Sequence, residues 1–135
     1  MPFEELEHTA DYLFRCSGST IEELFTSAAM AMFSLMFDER EKDSVKIDIR
    51  LEAEDYETLL YDLLSELLFV SEVERIVFSD IDILICDHSL EAVASGEKFD
   101  MEKHAGGTEI KGISRYGMDL KQKDGTFEVD IIFDV

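Results

Sequence analysis

The chain has 135 residues and a mass of 15.4 kDa, which fits one domain because single domains commonly hold about 100–150 residues. Apolar residues make up 46% of it, a share that excludes a disordered chain and allows a hydrophobic core. The 32 Asp and Glu against 12 Lys and Arg leave a net charge of −20, which repels phosphate backbones and anionic lipids. We therefore expect no direct nucleic-acid binding and no membrane docking. The charge favours cations or a basic protein partner, although acidity is also a common solubility device.

The chain carries no pattern typical of export or of a disulfide framework. Residues 1–5 have neither a basic region nor an apolar stretch, so we expect no signal peptide. The longest nearly apolar run, residues 27–37, is far shorter than the roughly 18 residues of a membrane span. Cys16 and Cys86 stand far apart without CxxC spacing, which favours buried free thiols in a reducing compartment. We therefore expect a cytoplasmic protein.

The N-terminal third predicts an extended segment followed by a helix. Residues 3–18 contain few helix signals and are expected to be extended. Thr20 and Glu23 have the spacing of a capping box, in which a hydroxyl and a carboxylate each accept a hydrogen bond from a free backbone N–H. Apolar residues then recur three and four positions apart, which predicts a helix over residues 20–37. A charged loop over residues 37–43 is expected to follow.

The middle of the chain predicts a strand, a second helix and another strand. Apolar and polar residues alternate strictly over residues 45–52, as in a strand with one wet face. Asp55 precedes a leucine-rich pattern of helical period, which predicts a capped helix over residues 55–73. Alternating isoleucines predict a strand over residues 75–86, and residues 87–89 are interpreted as a turn.

The C-terminal part predicts mostly strands joined by turns. Asp124-Gly125 is the strongest hairpin signal in the chain, and Gly112 and Gly117 are interpreted as bulges or close backbone approaches. The expected segments are a returning strand from Leu90, a looser stretch over 96–107, an extended stretch over 108–121 and a last strand over 126–133.

These elements predict an α+β fold. Two amphipathic helices must bury their apolar faces on a sheet, and the polar alternation of the strands favours antiparallel pairing. We expect a two-layer single domain over residues 1–135, with two helices packed on a mixed, mostly antiparallel sheet.

Two short segments near the ends of the sequence contain side chains that can bind metals. His8 and Asp11 lie in a segment with little propensity for regular structure, although an ordinary strand end with a surface histidine is an alternative. Asp134 and Val135 place an acidic side chain beside the α-carboxylate, at the end of an apolar strand. Such oxygen ligands suit calcium, magnesium or manganese. An ordinary surface terminus is the alternative.

A third group of polar residues lies between residues 99 and 111. Asp100 and His104, four positions apart, could share a helix face, but a loop with exposed polar residues is the expected structure. Lys111, in a predicted strand, is either a surface charge or a phosphate contact. We find no GxGxxG, P-loop, GxSxG or HExxH motif and no recognisable nucleophile setting.

Taken in order, several of these segments resemble one known family, archease, from residue 3 to the last residue. The matching segments are His8-Thr9-Ala10-Asp11, Thr20-Ile21-Glu22-Glu23-Leu24-Phe25, Leu63-Leu64-Ser65-Glu66-Leu67-Leu68, Gly96-Glu97 with Asp100 and His104, Thr108-Glu109-Ile110-Lys111 and Asp134-Val135. The resemblance implies a small cytoplasmic accessory protein that is not itself an enzyme. It would activate the tRNA-splicing RNA ligase, which joins RNA halves through a 3′-phosphate with GTP and manganese, by promoting the ligase's guanylylation and multiple turnover.

The resemblance also implies a divalent metal site. Its ligands would be Asp11, Asp134 and Val135, the last through a backbone oxygen or the terminal carboxylate. Lys111, His8 and His104 match the family pattern as residues that orient the site or contact the partner.

The chain departs from the family pattern after the lysine. Relatives usually read Ala-Val-Thr-Tyr-His there, whereas this chain has Arg115-Tyr116 in place of the Tyr-His pair, which puts any ligase contact by that pair in doubt. Two other classes of function are weighed beside the activator. One is a general chaperone or adaptor, which would require an exposed apolar patch. The other is a metal-dependent hydrolase with His8 or His104 as its base.

Overall fold

The computed structural model describes residues 2–6, 11–38, 44–104 and 106–135, and these form eight strands and two helices. In chain order they are β1 (Phe3–Leu6), β2 (Tyr12–Gly18), α1 (Ile21–Met36), β3 (Val45–Glu52), α2 (Tyr56–Glu74), β4 (Ile76–Cys86), β5 (Ser89–Lys98), β6 (Gly112–Ser114), β7 (Lys121–Lys123) and β8 (Thr126–Asp134). The predicted charged loop after α1 includes residues 39–43, which lie outside the described residues.

Both helices begin at the predicted caps. The Thr20 hydroxyl accepts a hydrogen bond from the Glu23 backbone N–H at 3.1 Å, and α1 follows it. The Asp55 carboxylate accepts one from the Thr58 N–H at 2.7 Å, and α2 follows it. These bonds satisfy backbone donors that have no partner within the first helical turn. The helix α2 ends at Arg75, which has the left-handed φ of 55° that stops many helices.

The predicted α+β fold is confirmed, with its strands divided between two sheets. The first sheet has the order β1-β2-β8-β6, with β7 also paired to β8, and the second has the order β3-β5-β4. All pairings described are antiparallel, so the expected parallel component is not found among them. The helix α1 joins β2 of the first sheet to β3 of the second. The helix α2 joins β3 to β4, but β5 lies between these two strands, which prevents a parallel pair.

One hydrophobic core joins the helices to the inner faces of both sheets. Side chains of α1 and α2 are buried along the predicted apolar faces, and each large one contributes about 1.5–3 kcal/mol by leaving water. The largest fully buried side chains are Phe25, Phe33, Phe133, Leu24, Met32, Leu59, Leu60, Leu63, Leu64, Leu67, Ile76 and Leu90. No helix of the described part of the chain is long and apolar enough to span a bilayer.

The prediction of a looser stretch from Gly96 is wrong for its first residues. The strand β5 continues through Gly96 to Lys98, and Gly96 is buried opposite Phe78, where the register of β4 shifts. A Cβ at Gly96 would overlap the Val77 carbonyl oxygen and lie 2.9 Å from the Phe78 Cα. The glycine is therefore required by the close approach of two strands rather than by a loop.

The interpretation of Gly112 and Gly117 as bulges or close backbone approaches is also wrong. Gly112 makes no close backbone approach, because the nearest atom to a Cβ there would be an Asp134 carboxylate oxygen at 3.9 Å. Gly117 lies in a turn with a φ of 70°, and a Cβ at this position would have no atom within 4 Å. The predicted extended stretch over 108–121 contains only β6 and the first residue of β7.

The two cysteines differ from each other. Cys16 is fully buried, as predicted, and burial raises the pKa of its thiol to about 12. Cys86 is exposed, contrary to the prediction, because it is the last residue of β4 and lies on the strand's outward side.

The Asp124-Gly125 hairpin is confirmed, with φ angles of 52° and 79° at the two turn residues.

Candidate metal and partner site

The pairing of β2 with β8 brings together two of the predicted metal ligands. Tyr12 lies opposite Phe133 in this antiparallel ladder, so Asp11 and Asp134 occupy the next position along the same register. Successive side chains of a strand point to opposite faces, and Leu13 and Ile132 form the pair on the other side of Tyr12 and Phe133. Asp134 therefore lies on the outer face of the first sheet, and Asp11, the residue before β2, lies at the same end of the ladder. Asp11 is half-buried and Asp134 is exposed.

The strand β6 approaches the same position from the other side of β8. Gly112 lies opposite Asp134, and the Lys111 backbone N–H donates a hydrogen bond to the Asp134 carbonyl at 2.7 Å. Because Gly112 has no side chain, the space beside the Asp134 carboxylate is left open. Lys111 and Val135 thus lie at the same end of the sheet as the two aspartates.

Two carboxylates opposite each other on adjacent strands repel, and this arrangement destabilises a sheet unless a positive charge is near. A divalent cation of the calcium, magnesium or manganese type prefers carboxylate and carbonyl oxygens, so the donor set of Asp11, Asp134 and Val135 fits one. Within the ranges that the structure describes, no group of three or more His, Cys, Asp or Glu side chains is close enough to hold a metal. Among the described residues, a backbone oxygen of Val135 is the further ligand that the family resemblance implies.

The remaining predicted site residues behave differently. His8 lies outside the described residues. His104 is 3% exposed rather than part of an exposed loop. Its Nδ1 accepts a hydrogen bond from the Asp100 N–H at 2.8 Å, and its own backbone N–H donates to the Asp100 carbonyl at 2.7 Å. Its ring contacts those of Phe37 and Phe99.

The other ring nitrogen of His104 faces an acidic side chain. Nε2 lies 3.3 Å from a carboxylate oxygen of Glu97 and forms no well-aligned hydrogen bond with any described residue. Lys103 Nζ lies 2.9 Å from the other oxygen of Glu97. These contacts stabilise the turn over residues 100–104. They do not connect His104 to Asp11 or Asp134.

Sequence reasoning missed one feature of this face, an ion pair four residues along the strands from the aspartates. Arg15 donates two hydrogen bonds to the Asp130 carboxylate, at 2.9 and 3.2 Å, across the same two strands. These bonds, together with the charge of Asp130, raise the pKa of the Arg15 guanidinium. The alternating pattern of each strand was visible in the sequence, but the register that joins residues 115 positions apart was not.

Relatives of similar length match nearly the whole chain. The family described as the Archease protein family (MTH1598/TM1083) matches residues 3–135. Protein archease of Methanosarcina mazei is 37% identical over 98% of this chain and 95% of its own. Protein archease of Pyrococcus furiosus is 38% identical over 98% of both chains.

Two solved structures have the same fold. The solution structure of Methanobacterium thermoautotrophicum protein 1598 has a TM-score of 0.85 at 34% identity and covers 99% of each chain. The crystal structure of a Thermotoga maritima protein, described as an archease and possible chaperone, has a TM-score of 0.71 over 98% of this chain and 96% of its own. At 18% identity the second likeness concerns the fold alone. The names given to these proteins are archease and possible chaperone. On the family match and the full-length relatives, the chain belongs to the archease family.

Proposed function

We propose that this protein activates the tRNA-splicing 3′-phosphate RNA ligase in the cytoplasm, by promoting the ligase's guanylylation and multiple turnover. The observation that carries the proposal is the register of β2 and β8, which pairs Tyr12 with Phe133 and so puts Asp11 and Asp134 at the same end of the ladder, near Lys111. A chain with a net charge of −20 suits a partner that acts on RNA, because such a partner needs a basic surface for phosphate groups.

The proposed site holds a divalent cation between Asp11, Asp134 and a backbone oxygen of Val135. When bound, the cation would supply a positive charge that can contact phosphate oxygens at the partner's active centre. The chain's own residues hold it in place: the β2–β8 ladder aligns the two carboxylates, and the hydrogen bond from Lys111 fixes the backbone of Asp134. Lys111 and His8 are proposed to orient this site or to contact the ligase. His104 is proposed to act indirectly, by holding the turn over residues 100–104.

The function is tested by RNA ligation with the purified ligase, GTP and manganese, under single-turnover and multiple-turnover conditions. The wild type should restore multiple turnover and increase guanylylation of the ligase. Asp11→Asn and Asp134→Asn should each reduce this stimulation by at least about tenfold, the usual cost of disturbing a metal site. The matched control is Asp82→Asn, which removes an exposed carboxylate from a strand of the second sheet.

Cation binding is measured separately, by the thermal unfolding of the free protein with added manganese, calcium or magnesium. A ligand that binds only the folded state raises the unfolding temperature. The rise should be smaller in the Asp11→Asn and Asp134→Asn double variant, unchanged in Asp82→Asn, and weaker at acidic pH because ligating carboxylates must be deprotonated. Equal shifts in the wild type and the double variant would sink the metal site. If the wild type leaves the ligase unaffected but suppresses aggregation of unrelated proteins, a general chaperone is the better description.

A further inference from the structure

The outer face of the first sheet carries a row of aliphatic side chains that does not belong to the core. Leu6 of β1 lies opposite Leu13 of β2, and Leu13 lies opposite Ile132 of β8, so the three side chains are neighbours across three strands. We call Leu6, Leu13 and Ile132 the outer row. All three are half-buried, and none of them packs against the core, whereas the next residues along the strands, Phe14 and Phe133, are buried in it.

Acidic side chains flank the outer row on both sides. On one side of the row, Asp134 follows Ile132 by two residues on the same face of β8, and Asp11 precedes Leu13 by two residues at the start of β2. On the other side of the row, also two positions away, Glu4 of β1, Arg15 of β2 and Asp130 of β8 lie opposite one another. The rows are therefore about 6.6–6.8 Å apart, which is the length of two strand residues.

The one arginine in these rows is already neutralised by its neighbours. Arg15 binds Asp130 through two hydrogen bonds, and its Nε also lies 3.6 Å from a carboxylate oxygen of Glu128. The face thus combines a half-buried apolar strip with a surplus of negative charge.

We propose that the outer row and its acidic flanks form the docking face for a basic protein surface, which inserts an apolar side chain between lysines or arginines. The identity of that protein rests on the function proposed above, and we take it to be the RNA ligase. Nucleic acid is excluded as the occupant by the negative charge of the face. A second copy of this chain is disfavoured because two such acidic faces would repel. A ligase bound here would also lie directly beside Asp11 and Asp134.

The test measures binding of the purified ligase to full-length variants by calorimetry. Leu13→Lys places a positive charge in the outer row, and Ile132→Thr removes apolar surface while keeping a β-branched residue suited to a strand. Both should weaken binding by about tenfold or more, as expected for residues near the centre of an interface. The matched controls are Leu84→Lys and Leu84→Thr, because Leu84 is 71% exposed on the outer face of the second sheet. They should bind within about twofold of the wild type.

Further measurements separate the outcomes. Thermal unfolding of each variant shows whether it is folded, and Ile132→Thr replaces Leu13→Lys if the charged variant is not. Affinity of the wild type should fall with added salt, and Glu4→Gln should reduce this dependence.

If the wild type binds and stimulates the ligase but both outer-row variants bind as well as the Leu84 controls, the docking face is wrong and the proposed function stands. If the wild type neither binds nor stimulates the ligase, both proposals fail. Sedimentation that shows a dimer dispersed by Leu13→Lys would assign the face to self-association instead.

Discussion

At the scale of single residues, two positions have properties that their local sequence does not reveal. His104 was expected in an exposed loop, but the rings of Phe37, which follows α1, and of Phe99, five residues before it, cover it. Gly96 was expected to begin a looser stretch, but it lies in a strand where another backbone passes closely. In both cases at least one deciding neighbour, Phe37 or the backbone at Val77 and Phe78, comes from elsewhere in the chain, where a local pattern could not indicate it.

The close approach at Gly96 gives a prediction for stability. Gly96→Ala should lower the free energy of unfolding by about 1–3 kcal/mol, because the added methyl group meets the backbone of Val77 and Phe78, which cannot move aside easily. Urea denaturation measures the change. Gly112→Ala is the control, since its methyl group would be in ordinary contact with the end of a side chain. A similar effect of both substitutions would show that the loss of glycine, rather than the crowding, is responsible.

At the scale of elements, the parts that short-range chemistry specifies were predictable. Thr20 and Asp55 mark both helix starts, and Asp124-Gly125 marks the last hairpin, because each acts on residues within a few positions. The division of the strands into two sheets was not predictable, since it depends on which distant strands pair. The same holds for the candidate site: the family resemblance indicated Asp11 and Asp134, but only the register aligns them.

The cap of α2 makes the stability of this helix depend on pH. The hydrogen bond from the Thr58 N–H lowers the pKa of the Asp55 carboxyl below its usual 3.8. A carboxyl with a lowered pKa in the folded state stabilises the fold above its unfolded pKa, and this contribution is lost as the pH falls through the folded pKa. Asp55→Ala should therefore lower the urea midpoint at neutral pH and have a smaller effect in acid. Thr20→Ala, which removes an uncharged cap from α1, should cost the same at both pH values. A pH-independent effect of Asp55→Ala would contradict this account.

At the scale of the whole molecule, the net charge of −20 opposes compaction. Raising sodium chloride from about 0.01 to 0.15 M shortens the screening length from about 30 to about 8 Å, so repulsion between distant carboxylates should weaken. We expect the unfolding temperature to rise over this range in the absence of divalent cations. As a control, the unfolding temperature is also measured in an uncharged sugar at the same osmolarity as the salt. An unfolding temperature that falls with salt would mean that attractive pairs such as Arg15–Asp130 outweigh the repulsion.

The pairing of β2 with β8 also decides when the candidate site can exist. The strands of the second sheet come from one continuous stretch, residues 45–98, whereas β2 and β8 stand near opposite ends of the sequence. Closing so long a loop is entropically costly and is expected late in folding. Asp11 and Asp134 therefore meet only when the rest of the molecule is in place. A partner that must contact both aspartates therefore binds only the fully folded protein and not a partly folded chain.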